Sequence, residues 1–141
     1  MSRQSCDAFV LFGATGDLAH KKIFPSLYAM EQRGNLKVPI IGIARDEEKA
    51  NALIARARDG IETYGEGAID EAVFDRLADR ISYVSGDYSD SKTFDRLKKA
   101  LGDAKCPLHY LAIPPTIFEM VCQALKAAGC ADNASVVVEK P

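Results

Sequence analysis

The sequence predicts an α/β protein with a doubly wound, mainly parallel sheet covered by helices on both faces. Three observations predict it. Strand-length apolar runs alternate with amphipathic helical stretches along the chain. The first run, Ala8-Phe-Val-Leu-Phe12, is apolar throughout, as a strand buried on both faces should be. A glycine turn, Gly13-Ala-Thr-Gly16, carries that strand straight into a helix. Together they describe a Rossmann-like domain, and at 141 residues the chain is one such domain, residues 1–141.

After the first strand, a helix is expected from Asp17 to Gln32. Ile23, Leu27 and Met30 fall at i, i+4 and i+7, on one face, and Gly34 fits its end. Pro25 lies inside this helix and should kink it or split off its first turns. Val38 to Ala44 reads as the second strand. Helical composition follows from Asp46 to Arg58 and again from Ala68 to Arg80, with Gly60 to Gly67 as a loop between them. Ile81 to Val84 reads as the third strand. Asp90 can cap the next helix, whose Phe94, Leu97 and Leu101 share a face. Leu108 to Ile113 is the fourth strand, stopped by Pro114-Pro115. Thr116 and Glu119 have capping-box spacing for a helix reaching Ala128 and closed by Gly129. Ser135 to Val138 is the fifth strand, and Glu139-Lys140-Pro141 follows it.

Composition narrows the function classes. The net charge of -2 gives no electrostatic case for nucleic acid. No apolar stretch approaches the roughly 18 residues of a membrane span. The N-terminus has no separate apolar segment with a cleavage site, so a cytoplasmic protein is expected. Cys6, Cys106, Cys122 and Cys130 form no CxxC pair, which fits reduced structural thiols better than a metal site.

The chemistry concentrates where strands end. In Gly13-Ala14-Thr15-Gly16-Asp17-Leu18-Ala19, glycine lets backbone approach a ligand, and free amides at the helix start favour a phosphate. Thr15 takes the place of the second glycine of the usual dinucleotide pattern. Asp17 would repel a diphosphate, so its carboxylate should face away and stabilise the first helical turn. Lys21 and Lys22 lie one turn further on. Arg45 ends the second strand, where an arginine accommodates the 2′-phosphate of NADP. Asp46 is adjacent and could instead read the ribose hydroxyl of NAD. Pro114-Pro115-Thr116 and Lys140 fall at the same sheet edge, where ligands of open α/β sheets bind. His109 reads as a packed strand histidine and His20 as a helix-surface one. Neither has a carboxylate partner by spacing, so no acid–base pair and no catalytic residue is assigned.

Four segments carry a resemblance: residues 13–25 (GATGDLAHKKIFP), 83–88 (YVSGDY), 110–116 (YLAIPPT) and 137–141 (VVEKP). In this order, across nearly the whole chain, they resemble the N-terminal domain of the glucose-6-phosphate dehydrogenases. The resemblance implies NADP on the loop from Gly13 to Ala19, with Thr15 near the diphosphate and Arg45 on the 2′-phosphate. It implies that Lys22 and Lys140 lie near coenzyme and sugar phosphate, and that Pro141 sits where the two meet. Enzymes of the family oxidise glucose 6-phosphate at C1 to the lactone and pass hydride to NADP. Phe118 stands where the family commonly has a tyrosine, which removes one hydroxyl from the expected coenzyme contacts. The family's catalytic His–Asp pair and its homo-oligomer interface belong to sequence beyond the Glu-Lys-Pro motif. The 141 residues are therefore expected to bind NADP without turning over glucose 6-phosphate, and either to self-associate through apolar surface or to be disordered near the C-terminus. A stand-alone NADP-binding regulatory module is the alternative. Short-chain reductases, which combine such glycine spacing with a Tyr-x-x-x-Lys pair, are set aside as the weaker reading.

Overall fold

The computed structural model describes residues 6–47 and 49–138. Five strands form the sheet: β1 (Ala8–Phe12), β2 (Ile40–Ala44), β3 (Ile81–Ser85), β4 (Pro107–Leu111) and β5 (Ser135–Val138). Their order is β3-β2-β1-β4-β5, and all four pairings are parallel. The direction of winding therefore reverses between β1 and β4, next to the first strand's carboxyl end.

Successive strand residues point to opposite faces, so β1 feeds two cores at once. Leu11 joins Phe24, Leu27, Leu53, Ile61, Phe74 and Leu77 on the face of α1 (Phe24–Gln32), α2 (Ala50–Tyr64) and α3 (Glu71–Arg80). Phe12 joins Phe94, Leu97, Leu111, Val121 and Leu125 on the face of α4 (Ser91–Leu101) and α5 (Phe118–Ala127). Buried Glu31 ties α1 to α3 through Arg76 at 3.3 Å and Arg80 at 3.2 Å. Among the described residues, no helix is long and apolar enough to cross a membrane.

The expected doubly wound α/β fold is present, with several local corrections. The first helix is divided, as Pro25 required. Ala19–Ile23 is a π-turn, in which the Phe24 N–H donates to the Ala19 carbonyl, and α1 begins only at Phe24. Pro25 offers no N–H to the carbonyl four residues back, so the preceding turn widens. Met30, expected on the core face, is 39% exposed at the rim of an apolar groove.

The second helix starts at Ala50 instead of Asp46. Two side chains from β3 hold the Asp46 carbonyl, the Tyr83 hydroxyl at 2.6 Å and the Ser85 hydroxyl at 2.9 Å, so it is spent outside any helix. That helix also runs through Gly60 to Tyr64, which were expected to be loop. Gly60 is needed inside it, because a Cβ there would lie 2.1 Å from the His20 carbonyl oxygen.

Asp90 caps α4 as expected, accepting from the Lys92 N–H at 3.0 Å. The Thr116–Glu119 capping box does not form. Pro115–Ile117 is a 3-10 turn closed by Ile117 N–H on the Pro114 carbonyl, and α5 starts at Phe118 without a side-chain cap. The strands match expectation with shifted ends. β2 begins at Ile40, not Val38, and β4 runs from Pro107 to Leu111. Lys140 and Pro141 lie outside the described residues.

Candidate coenzyme site

The site is built from the carboxyl ends of β1, β2 and β4. Gly13 follows β1 with φ +76°, and a Cβ on it would meet the Ala112 carbonyl oxygen at 2.1 Å. Only glycine fits both the backbone conformation and that approach. The Gly13 N–H is shared between the Ile43 carbonyl at 3.0 Å and the Tyr88 hydroxyl at 2.8 Å. The Ala14 N–H reaches the same Ile43 carbonyl at 3.3 Å, and the Gly16 N–H folds back on the Gly13 carbonyl at 2.9 Å.

The first helical bond is then His20 N–H to the Gly16 carbonyl at 3.2 Å. The helical turn opens at Asp17, and the amides of Asp17, Leu18 and Ala19 have no helical carbonyl ahead of them. Such an end attracts an anion.

A cleft of about 470 Å³ opens beside this turn. Gly13, Thr15 and Gly16 form its floor, Arg45 and Asp46 one end, and Ile113, Pro114 and Ile117 an apolar wall. Ala14 is fully buried beneath, and Leu18 packs against the first core. Arg45 is exposed. Near it, Asp87 is held below the usual carboxylate range by the Ser89 amide and hydroxyl, with Arg45 adding a smaller Coulombic pull. Lys22 is exposed on the π-turn and lies outside the cleft lining.

Asp17 is exposed and lines a separate hollow with His20, Arg56 and Asp59. His20 corrects a sequence expectation. Its Nε2 lies 2.6 Å from an Asp59 carboxylate oxygen, so it does have a carboxylate partner, 39 residues away on α2. That pair lines a different hollow from the cleft that holds Gly13 and Arg45. The other histidine is packed as expected, fully buried with Nε2 2.8 Å from the Cys130 carbonyl. The four cysteines are free thiols, and among the described residues no group of three or more His, Cys, Asp or Glu is placed to hold a metal.

Sequence reasoning passed over Tyr88. Its hydroxyl donates to the Ile43 carbonyl at 3.0 Å while accepting from Gly13, and burial pushes its pKa up to about 12 against the partly offsetting Gly13 bond. The signal was its spacing. Short-chain reductases are set aside on sequence for want of a Tyr-x-x-x-Lys pair, but Tyr88 and Lys92 form one, so spacing alone does not set a short-chain reductase aside. Geometry does. Tyr88 precedes the Asp90 cap and is buried, its hydroxyl taken by backbone, whereas Lys92 is exposed on the first turn of α4.

A family profile described as the NAD binding domain of glucose-6-phosphate dehydrogenase matches residues 10–141. The chain belongs to the glucose-6-phosphate dehydrogenase family. It is 43% identical over 135 residues to glucose-6-phosphate 1-dehydrogenase 1 of Mycobacterium tuberculosis, covering 96% of this chain and 28% of that protein. The crystal structure of the Mycobacterium avium glucose-6-phosphate 1-dehydrogenase superposes with a TM-score of 0.92 at 44% identity, over 97% of this chain and 30% of that one. A glucose-6-phosphate dehydrogenase solved with its substrate glucose-6-phosphate gives 0.84 at 32% identity, over 100% and 32%. The chain thus spans less than a third of these glucose-6-phosphate dehydrogenases, in the part that forms their coenzyme domain.

Proposed function

We propose that residues 1–141 act as one NADP-binding domain, serving an enzyme that oxidises glucose 6-phosphate at C1 to the lactone. The observation that carries the coenzyme reading is Arg45 at the end of β2, lining the same cleft as the glycine turn. A guanidinium there pairs with a 2′-phosphate, while the amides at the start of the helix meet the diphosphate. The residues fit that group. Gly13 and Gly16 leave room for backbone approach, Thr15 adds a hydroxyl, and Ile113, Pro114 and Ile117 offer an apolar surface for a ring.

When bound, the nicotinamide supplies the hydride acceptor. The chain's own share is to bind and orient: Arg45 anchors one end, and the Pro114 wall excludes water from the other. Leu18 supports the first helical turn from within, and Asp17 on its outer side favours that turn electrostatically. Lys22 and Lys140 are assigned to the sugar-phosphate side. Among the described residues, the cleft lining holds no histidine, and Asp46 is its one carboxylate, at the Arg45 end. On this reading the 141 residues hold coenzyme without oxidising the sugar, because no described residue of the cleft is placed as a base for the C1 hydroxyl proton.

Calorimetric titration tests both parts. NADP is expected to bind more tightly than NAD, and Arg45→Ala to remove that preference by about tenfold, the worth of one charge-assisted pair. No binding at millimolar coenzyme counts against the reading. A preference for NAD that Asp46→Ala abolishes moves the assignment to Asp46. Formation of reduced coenzyme from glucose 6-phosphate by the 141-residue chain refutes the missing-base argument.

A further inference from the structure

We infer that Tyr88 is a positioning residue for the coenzyme: its hydroxyl sets the shape of the diphosphate turn by bridging the Gly13 amide to the Ile43 carbonyl. The inference rests on the dinucleotide reading above and adds to it a residue outside the glycine turn. The direction of both bonds is fixed. The Ile43 carbonyl only accepts, so the phenol proton goes to it at 3.0 Å, and the phenol oxygen is left to accept from Gly13 at 2.8 Å. Tyr88 stands between β3 and α4, so a third strand's connection braces the ends of β1 and β2.

The brace is itself held. The Tyr88 ring is buried against Phe12 with centroids 5.7 Å apart. Its neighbour Asp87 accepts from Ser89 N–H at 2.8 Å through its carboxylate and from the Thr93 hydroxyl at 2.7 Å through its carbonyl. Tyr88 also lines the cleft, so the same side chain that sets the turn faces the ligand space.

The bonding predicts that binding and folding respond differently when the hydroxyl is lost. Without it, the Gly13 N–H keeps the Ile43 carbonyl at 3.0 Å, so no buried donor is stranded and the fold loses little. What the turn loses is its second tether. The amides from Asp17 to Ala19 are then less well set for the diphosphate, and ordering them costs affinity.

Tyr88→Phe keeps the ring and removes the hydroxyl. Titrated by calorimetry, it is expected to weaken NADP and NAD alike by about five- to tenfold, with their ratio unchanged and faster exchange at the Gly13 amide. Arg45→Ala provides the contrast, since it moves the ratio. Unchanged affinity in a folded Tyr88→Phe variant overturns the inference and leaves the dinucleotide reading intact. A wild-type chain that binds neither coenzyme removes both. If the variant does not fold, the Tyr88 hydroxyl in the wild-type protein decides: its proton, held on the Ile43 carbonyl, is expected to exchange slowly before coenzyme is added, and a hydroxyl that exchanges freely until NADP is added overturns the inference.

Discussion

His109 is where acid should first weaken this protein. It is fully buried, its Nε2 hydrogen goes to the Cys130 carbonyl, and its Nδ1 has no hydrogen-bond partner among the described residues. Protonating Nδ1 would strand a charged donor in the core, so burial holds the His109 pKa below its ordinary value, against a smaller opposing effect of the Cys130 bond. The unfolded chain binds that proton at its ordinary pKa. Stability should therefore be level above about pH 6.5 and fall as the pH drops through it towards the folded value. Urea unfolding at about pH 7 and pH 5.5 should show this loss, and His109→Gln should be less stable at the upper pH but flatter between the two. An unchanged pH slope in the variant would assign the acid sensitivity elsewhere. The two histidines also mark how far residue reading reaches. A histidine inside an apolar strand reads as packed, and His109 is. The Asp59 partner of His20 comes from another helix 39 residues on, which no local spacing encodes.

Elements were legible where a local rule governs them. The Asp90 cap, the continuous apolar β1 and the break imposed by Pro25 are properties of adjacent residues, and each is present. The misses came where a second element intervened. Tyr83 and Ser85 capture the Asp46 carbonyl and delay α2, and the 3-10 turn after Pro114 displaces the Thr116 box. Gly60 is the clearest case. Its composition suggests a helix breaker, but it is buried inside α2 because the π-turn backbone passes against it. Gly60→Ala, ordinarily a helix-favouring change, should instead destabilise the protein by about 1–3 kcal/mol through overpacking. Thermal or urea denaturation measures this, and a gain in stability would mean that the π-turn yields to the added methyl.

At the scale of the whole molecule, the sheet is guarded unevenly. β2 is buried along its full length, while every residue of β5 is exposed and Val136, Val137 and Val138 show 46%, 36% and 47% of their surface. An apolar edge of this kind is a template for pairing. The chain is expected to self-associate as concentration rises, and Val136→Lys with Val138→Lys to hold it monomeric by light scattering. A wild-type chain that stays monomeric throughout would show the edge to be harmless in solution. The candidate site was legible for a related reason of scale. Its parts are distant in sequence, yet each sits at a strand terminus, and a parallel sheet brings all such termini to one edge. The cleft's contour and the bracing by Tyr88 were not legible, since both depend on how far the loops fold over that edge.

The π-turn bears on how this domain can change. One extra residue in a helical turn offsets everything before it by roughly 100° of rotation. Residues 19–23 thus act as a phase shift between the anion-binding start of the helix and the apolar stripe of α1. Deleting a single residue there would turn the glycine turn out of alignment with its sheet and leave Pro25 still without an N–H for the preceding turn. The binding end and the packing end of this helix are keyed to different angular origins, so chain length between Gly16 and Phe24 is under tighter constraint than composition.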